Sequence, residues 1–282
     1  MEFIANEGAL GAEIRGFDPA ARATDDERAA LLAAWRDHLV LFIRGHRLSD
    51  PDLLSFSRLF GELDPPGPNV YGEPFLPEYP EINVLSNVLE GGKPIGGLGA
   101  GEAVWHADMT YIDMPPKASV LHALEIPDSG GDTHFANMFA AYEVLPDAMK
   151  EAIAGRHAIH DGAHNSAGQL RRGFEDVDDV RLTPGAHHPL VRTEPDTGGK
   201  ALFLGRRPHA YVIGMEVADS EALLDRLWSH ADDPRFAVSH RWRVADTLIW
   251  NNLGILHRRD SFDGTARRIM HRTQIKGNER IS

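Results

Sequence analysis

The sequence predicts a mainly β chain with added α-helices, in the form of an antiparallel barrel or jelly roll decorated by helices. Three observations predict it. Apolar residues alternate, or run in short strand-length blocks, through the second half, at Ala118–Glu125, Thr133–Asn137, Asp246–Trp250 and Arg267–Ile275. Helix signals gather at the front and in later insertions. Between these regions, residues 62–117 are rich in Pro and Gly. So long an irregular stretch is uncommon unless it forms a lid or binding loop.

Taken in order, Ala12–Ile14 reads as a short strand. Thr24 can cap a helix over Asp25–His38 that gathers Leu31, Leu32 and Trp35 on one face. Leu39–Ile43 is an apolar strand. Ser49-Asp50-Pro51 opens a second helix, with Pro in its first turn, and Gly61 closes it. A strand is expected at Glu81–Val88. Helices follow at Ala140–Leu145 and Asp147–Ala154, short strands around His188–Thr193 and Ala201–Leu204, and a helix near Ser220–His230. Phe236–Arg241 begins the last group of strands.

Composition narrows the function. The 282 residues suit one domain, expected over 1–282, with an N-terminal helix and strand portion (about 1–95) packed on the core. A hydrophobic content of 42% allows a sizeable core, and a formal charge of −13 argues against a nucleic-acid partner. The chain has no cysteine, so any metal must be held mainly by His, Asp or Glu. The N-terminus lacks the basic and apolar regions of a signal peptide, and no stretch approaches the ~20 apolar residues of a membrane helix. A cytoplasmic protein is expected, with no membrane partner, as a homo-oligomer (dimer or tetramer).

Three segments carry chemistry. In Trp105-His106-Ala107-Asp108, residues i and i+2 of an extended chain share a side, so His106 and Asp108 can present an imidazole and a carboxylate to one point. A His-x-Asp tripeptide is weak by itself in a chain with fifteen histidines. An apolar strand ending at Asn252 leads to His257; two His and one carboxylate on one face of a metal form the triad of non-haem iron(II) oxygenases. Alone, His257 reads more readily as a structural loop histidine. In Arg267–Ile275, alternation places Arg268, Met270, Arg272 and Gln274 on one face. If that face is interior, two buried guanidiniums need anions. A solvated edge strand burying Ile269, Thr273 and Ile275 fits the same letters.

Together these residues resemble the taurine dioxygenase family, which includes oxygenases of 2,4-dichlorophenoxyacetate and of alkyl sulfates. The resemblance runs from Leu10-Gly11-Ala12-Glu13-Ile14-Arg15-Gly16 to Arg272. Thr133 follows His106 by 27 residues, and Arg268 and Arg272 follow His257 by 11 and 15, the family's offsets. The resemblance implies a double-stranded β-helix (jelly-roll) core and Fe(II) held by His106, Asp108 and His257. It implies 2-oxoglutarate bound by Thr133 and Arg268, and a small organic anion (carboxylate, sulfonate or sulfate ester) bound by Arg272 beside Met109, Tyr71 and Asn69. Trp250 would lie near the metal. The implied reaction consumes O2 and hydroxylates the substrate, releasing succinate and CO2. Desaturation, cyclisation or C–S/C–O cleavage are alternative outcomes, and a non-catalytic metal- or anion-binding barrel is the alternative of another class. Asp108 favours hydroxylation, since related halogenases carry a small residue there.

Alternatives stay open for single residues. Arg272 can pair with a local acid, and Met109 and Trp250 can be plain core residues. Arg206 and Arg207 could contact a larger substrate or belong to a solvated loop. His157, His160 and His164 have the spacing of a second metal face on a helix, weakened by Gly155 and Gly162.

Overall fold

The computed structural model describes residues 1–66, 74–101 and 103–282. Two sheets face each other. The larger runs, in spatial order, Glu2–Ala5, Ala12–Arg15, Val40–Ile43, Thr247–Asn251, Ala118–Glu125, Ile269–Ile275, Asn83–Ser86 and Gly97–Leu98, with Leu63–Asp64 also pairing to Ile269–Ile275. The smaller runs Ala237–His240, Thr133–Asn137, Ile255–Arg259 and Ala103–His106. All pairings within the smaller sheet are antiparallel. The jelly-roll expectation holds. No helix among the described residues is long and apolar enough to cross a membrane.

Apolar residues from the facing sides of both sheets fill the space between them, including Leu85, Leu121, Phe135, Leu248, Trp250, Ile255 and Met270. The outer face of the larger sheet is covered by helices Asp25–His38 and Asp50–Arg58. Both begin where the sequence expects and are closed there by capping boxes, Thr24 with Glu27 and Ser49 with Asp52. Their Leu31, Leu53 and Phe56 pack on Leu41, Val120, Ile249 and Ile275. The insertion between Thr133–Asn137 and Ala237–His240, which carries helix Val217–Ala231, covers the outer face of the smaller sheet. There Leu202, Leu224 and Leu227 meet Ala136 and Leu256.

This layering decides the ambiguity at Ile269–Ile275. The strand is buried on both faces, so neither set of alternate residues is solvated. His271 and Thr273 face the helices, hydrogen-bonded to Asp50 (2.6 Å) and Ser57 (2.6 Å), and Ile275 joins the helix-side core. Met270, Arg272 and Gln274 face the other way, toward the smaller sheet. The edge-strand alternative fails because two N-terminal helices, distant in sequence, cover the face that alternation alone leaves to solvent.

Candidate active site

His106 ends one strand of the smaller sheet and His257 lies directly opposite it in the next, the ring centroids 4.2 Å apart. The letters alone put His257 beyond a strand's end. It lies instead inside a strand of its own, Ile255–Arg259, which the turn Asn252-Leu253-Gly254 separates from Thr247–Asn251. Asp108 follows where the chain leaves the sheet. Its Oδ1 is 3.9 Å from Nε2 of both His106 and His257, and one ligand atom from each residue lies within 4.8 Å of the others.

The surroundings prepare these three groups as ligands. His106 Nδ1 lies 2.7 Å from the Val104 carbonyl, to which it can only donate, which leaves the Nε2 lone pair facing the cluster. Burial and the neighbouring His257 hold the His106 imidazolium down to about 3, against the pull of Asp108. Burial likewise lowers His257. Both rings are therefore neutral at ordinary pH, as metal ligation requires. Burial alone would raise the Asp108 carboxyl. The Arg272 guanidinium, the two histidines and Ser119 outweigh it and hold the group well below the usual carboxylate range. Ser119 Oγ donates to Asp108 Oδ2 at 2.7 Å. Asn252 locks the Asp108 main chain from both sides, accepting from its amide at 2.6 Å and donating to its carbonyl at 2.9 Å.

Two neutral imidazoles and one carboxylate, their donor atoms converging from one side, fit a divalent first-row metal such as iron(II). Arg272 qualifies this arrangement. Its Nη1 donates to Asp108 Oδ1 at 2.9 Å, the oxygen that faces both histidines. The local-acid alternative is thus what the geometry contains, with the acid being the candidate ligand itself. Arg272 Nε has no partner among the described residues.

The interior face continues away from this cluster to Thr133 and Arg268. Thr133 Oγ1 accepts from Trp242 Nε1 at 2.9 Å. A hydroxyl keeps its own O–H after such a bond, so Thr133 can still donate to an anion. Arg268 is 2% exposed, its Nε lacks a partner, and no carboxylate pairs with it among the described residues. Burial, with the nearby Arg259 charge, pulls its guanidinium down to about 9. Ile126–Asp132, Arg241 and Trp242 line a pocket at Arg268. Glycine is needed at position 130, where φ is +75° and a Cβ would meet the Ser261 carbonyl at 2.7 Å.

The other residues that the sequence singles out divide. Trp250 is 2% exposed and stands 5.0 Å from the His257 ring, so it is both core and cluster wall. Met109 is half-buried beside Asp108 with φ +51°, in the turn that redirects the chain after the ligand. Asn69 and Tyr71 lie outside the described residues. Arg206 pairs with Asp161 (3.3 Å), and Arg207 with Glu221 and Asp225 (2.9 Å), so local acids hold both. The helical His157–His164 face is not found. His157 begins a strand, His157–Ile159, and is exposed, whereas His160 and His164 are buried apart.

Sequence reasoning assigns no site role to Ser119, Asn252, Trp242, Arg259 and Gln274. Ser119 and Gln274 are direct cross-strand neighbours, and both amide atoms of Gln274, 2% exposed, are unpartnered among the described residues. Only Gln274 has a signal, its place on the arginine face. The others depend on pairings far apart in sequence.

The sequence model of the taurine catabolism dioxygenase TauD, TfdA family matches residues 5–274. The chain is 34% identical to the alpha-ketoglutarate-dependent 2,4-dichlorophenoxyacetate dioxygenase of Burkholderia sp. (strain RASC), over 84% of this chain and 82% of the relative. It is 32% identical to pentalenolactone F synthase of Streptomyces arenae, over 96% and 93%. The crystal structure of AAD-2 in complex with Mn(II) and N-oxalylglycine superposes with a TM-score of 0.81 at 26% identity, covering 100% of this chain and 99% of that one. By the extent of these matches and by the shared fold, the chain belongs to the taurine catabolism dioxygenase TauD, TfdA family.

Proposed function

We propose that this protein is an Fe(II)- and 2-oxoglutarate-dependent dioxygenase that hydroxylates a small organic anion and releases succinate and CO2. The observation that carries the reading is Arg268, a guanidinium 2% exposed, without an acidic partner among the described residues, which faces the same interior between the sheets as the His106–Asp108–His257 cluster. A buried charge left unpaired is costly, so the fold is built for an anion arriving from outside.

His106, Asp108 and His257 would hold iron(II), which when bound supplies the activation of O2 by electrons from the 2-oxo acid. The chain's own residues do the rest. Arg268 and the Thr133 hydroxyl hold the far carboxylate of 2-oxoglutarate and fix its reach toward the cluster. Ser119 and Asn252 keep Asp108 oriented. Trp250 and Phe135 pack against the His257 ring and exclude water from that side. Arg272 anchors the acidic group of the substrate, with Met109, Asn69 and Tyr71 around it. Its contact with Asp108 gives it a reason to wait there: a dication on the same oxygen would weaken that attraction and favour turning toward a substrate anion. The family resemblance also carries the expectation of a cytoplasmic homo-oligomer, dimer or tetramer, which light scattering and cell fractionation check.

Succinate release across sulfonates, alkyl sulfates, aryloxy acids and amino acids tests the reading. Coupled release with acids is expected. Neutral compounds that couple equally well would remove the role given to Arg272. The absence of a weak visible charge-transfer band on anaerobic addition of Fe(II) and 2-oxoglutarate would remove the dioxygenase reading.

A further inference from the structure

Two pairs of consecutive arginines occur near the candidate site, Arg258 and Arg259 at the end of strand Ile255–Arg259 and Arg267 and Arg268 just before strand Ile269–Ile275, and each pair is divided between outward and inward sides. Arg258 and Arg267 turn outward and meet acids, Asp260 at 2.8 Å and Glu125 at 2.6 Å. Arg259 and Arg268 turn inward and pair with no carboxylate among the described residues. Arg259 lies directly opposite Thr133, and His257 opposite Phe135, so all four face the interior. Arg259 is 8% exposed. Among the described residues its acceptors are main-chain carbonyls only, those of Gly101 and, at 3.5 Å, Leu98, and its Nε has none. The Phe262 ring lies 5.5 Å from the Arg259 guanidinium and 5.9 Å from that of Arg268.

Two buried cations beside one aromatic ring repel each other, and carbonyl dipoles do not neutralise them. The outward-facing arginines pair with acids, while the inward ones pair with none among the described residues. A shared anion supplied by a ligand relieves both desolvation and repulsion. Guanidinium forks suit a carboxylate, whose two oxygens offer about four acceptor sites.

We propose that Arg259 and Arg268 form a two-guanidinium clamp on the far carboxylate of the 2-oxo acid, so that this chain reads its co-substrate with two cations. The inference rests on the 2-oxoglutarate reading above and adds to it a residue that sets selectivity for dicarboxylic over monocarboxylic 2-oxo acids. Arg259 acts on the ligand directly, and its carbonyl contacts hold the guanidinium in place for that role.

Calorimetric binding to the Mn(II)-loaded protein tests it, with 2-oxoglutarate and with 2-oxopentanoate, the same chain lacking the far carboxylate. Arg259→Gln should weaken 2-oxoglutarate by about 10- to 100-fold, the scale of one charge-assisted hydrogen bond, and leave 2-oxopentanoate within about twofold. Arg259→Lys should recover part of the difference. Equal weakening of both acids, or of neither, overturns the clamp and leaves Arg259 as a strap on the Leu98–Gly101 segment. Should Arg259→Gln fail to fold, a crystal structure of the wild-type Mn(II)–2-oxoglutarate complex decides. A far carboxylate within hydrogen-bond distance of both guanidiniums supports the clamp, and one held by Arg268 alone refutes it. Failure of the dioxygenase reading looks different: the wild type would bind Mn(II) but not 2-oxoglutarate. If Arg268→Gln abolishes 2-oxoglutarate binding while Arg259→Gln preserves it in full, the dioxygenase reading survives and the clamp falls.

Discussion

Among the described residues, two clusters of histidine and aspartate each bring three candidate ligand atoms within 4.8 Å of one another. One is His106, Asp108 and His257, and the other is Asp161, His164 and His209. They differ in what the remaining atoms of each residue are doing. In the first, His106 uses Nδ1 on a carbonyl and keeps Nε2 toward the cluster, and His257 Nδ1 has no partner among the described residues. In the second, both nitrogens of His164 lie 2.9 Å from carboxylate oxygens, of Asp161 and Asp176. Asp161 is also filled, by the Ala163 amide at 2.7 Å and by Arg206 at 3.3 Å. His209 stacks on His164, ring centroids 4.0 Å apart. A ring whose two nitrogens both face nearby carboxylate oxygens already has a partner for each, which leaves neither nitrogen directed at an open site. Proximity of ligand types marks both clusters, but in the second His164 and Asp161 are already taken up by partners within the protein.

The largest effect that separates them is metal stoichiometry. His257→Ala should abolish tight binding of Fe(II) or Mn(II) and with it turnover, while His209→Ala should keep one ion per chain. Calorimetry and metal analysis of both variants check this. Two ions per wild-type chain, one of them lost with His209, would break the contrast.

Much of this is legible in the sequence, for a physical reason that also marks its limit. Alternation in Ile269–Ile275 and the offsets joining His106, Thr133, His257, Arg268 and Arg272 are local or strictly spaced features, and chain geometry preserves them. The front helices are readable from Thr24 and Ser49 because a capping box is closed within four residues. What fails depends on tertiary pairing. The His157–His164 spacing imitates a helix face, but His157–Ile159 pairs with His187–Pro189 and Tyr211–Val212 and becomes a strand. Asn252 and Ser119 hold Asp108 from 144 and 11 residues away, and no spacing in the chain announces either. Arg206 and Arg207 give no sign of the acids that hold them, because Asp161 is 45 residues from the first and Glu221 sits on a helix of its own.

A second prediction sharpens the contrast through the cations around each cluster. Arg206 is held by an acid of the protein, whereas Arg268 has none among the described residues. Arg268→Met should raise the KM for 2-oxoglutarate by about 100-fold or more, the range for losing a charged contact to a carboxylate. Arg272→Ala should act chiefly on the KM for the primary substrate. Steady-state succinate assays at varied co-substrate measure both, and equal effects on the 2-oxoglutarate KM would refute the division of labour.

The second cluster should announce itself in stability. Asp161→Asn removes the charge that pairs with Arg206 and His164 in a buried setting, Asp161 being 4% exposed. A loss of about 3 kcal/mol is expected, as for one partner removed from a buried ion pair. Denaturant unfolding measures it. A variant as stable as the wild type would show that the network contributes little and reopen the question of what the cluster is for.

His122 offers the finest test of the principle that partners decide a histidine's role. It is 1% exposed; its Nε2 accepts from the Leu48 amide at 3.3 Å and its Nδ1 lies 2.8 Å from Thr247 Oγ1. Both nitrogens are occupied, as in His164, but by uncharged groups, one of them a donor, so the ring must stay neutral. Burial and the neighbouring His271 hold its pKa down to about 4. The unfolded chain then binds the extra proton first, so the stability due to a neutral His122 is complete above the ordinary value near 6.5 and is lost as pH falls from there toward 4. Between about pH 7.5 and 6 the loss is only about 1 kcal/mol, a few degrees in Tm. His122→Gln should show a shallower fall of Tm over this window, whatever its constant offset. Identical slopes in the two proteins would mean that His122 takes up its proton without disturbing the fold, and that neutral partners do not constrain a buried imidazole as the two clusters suggest.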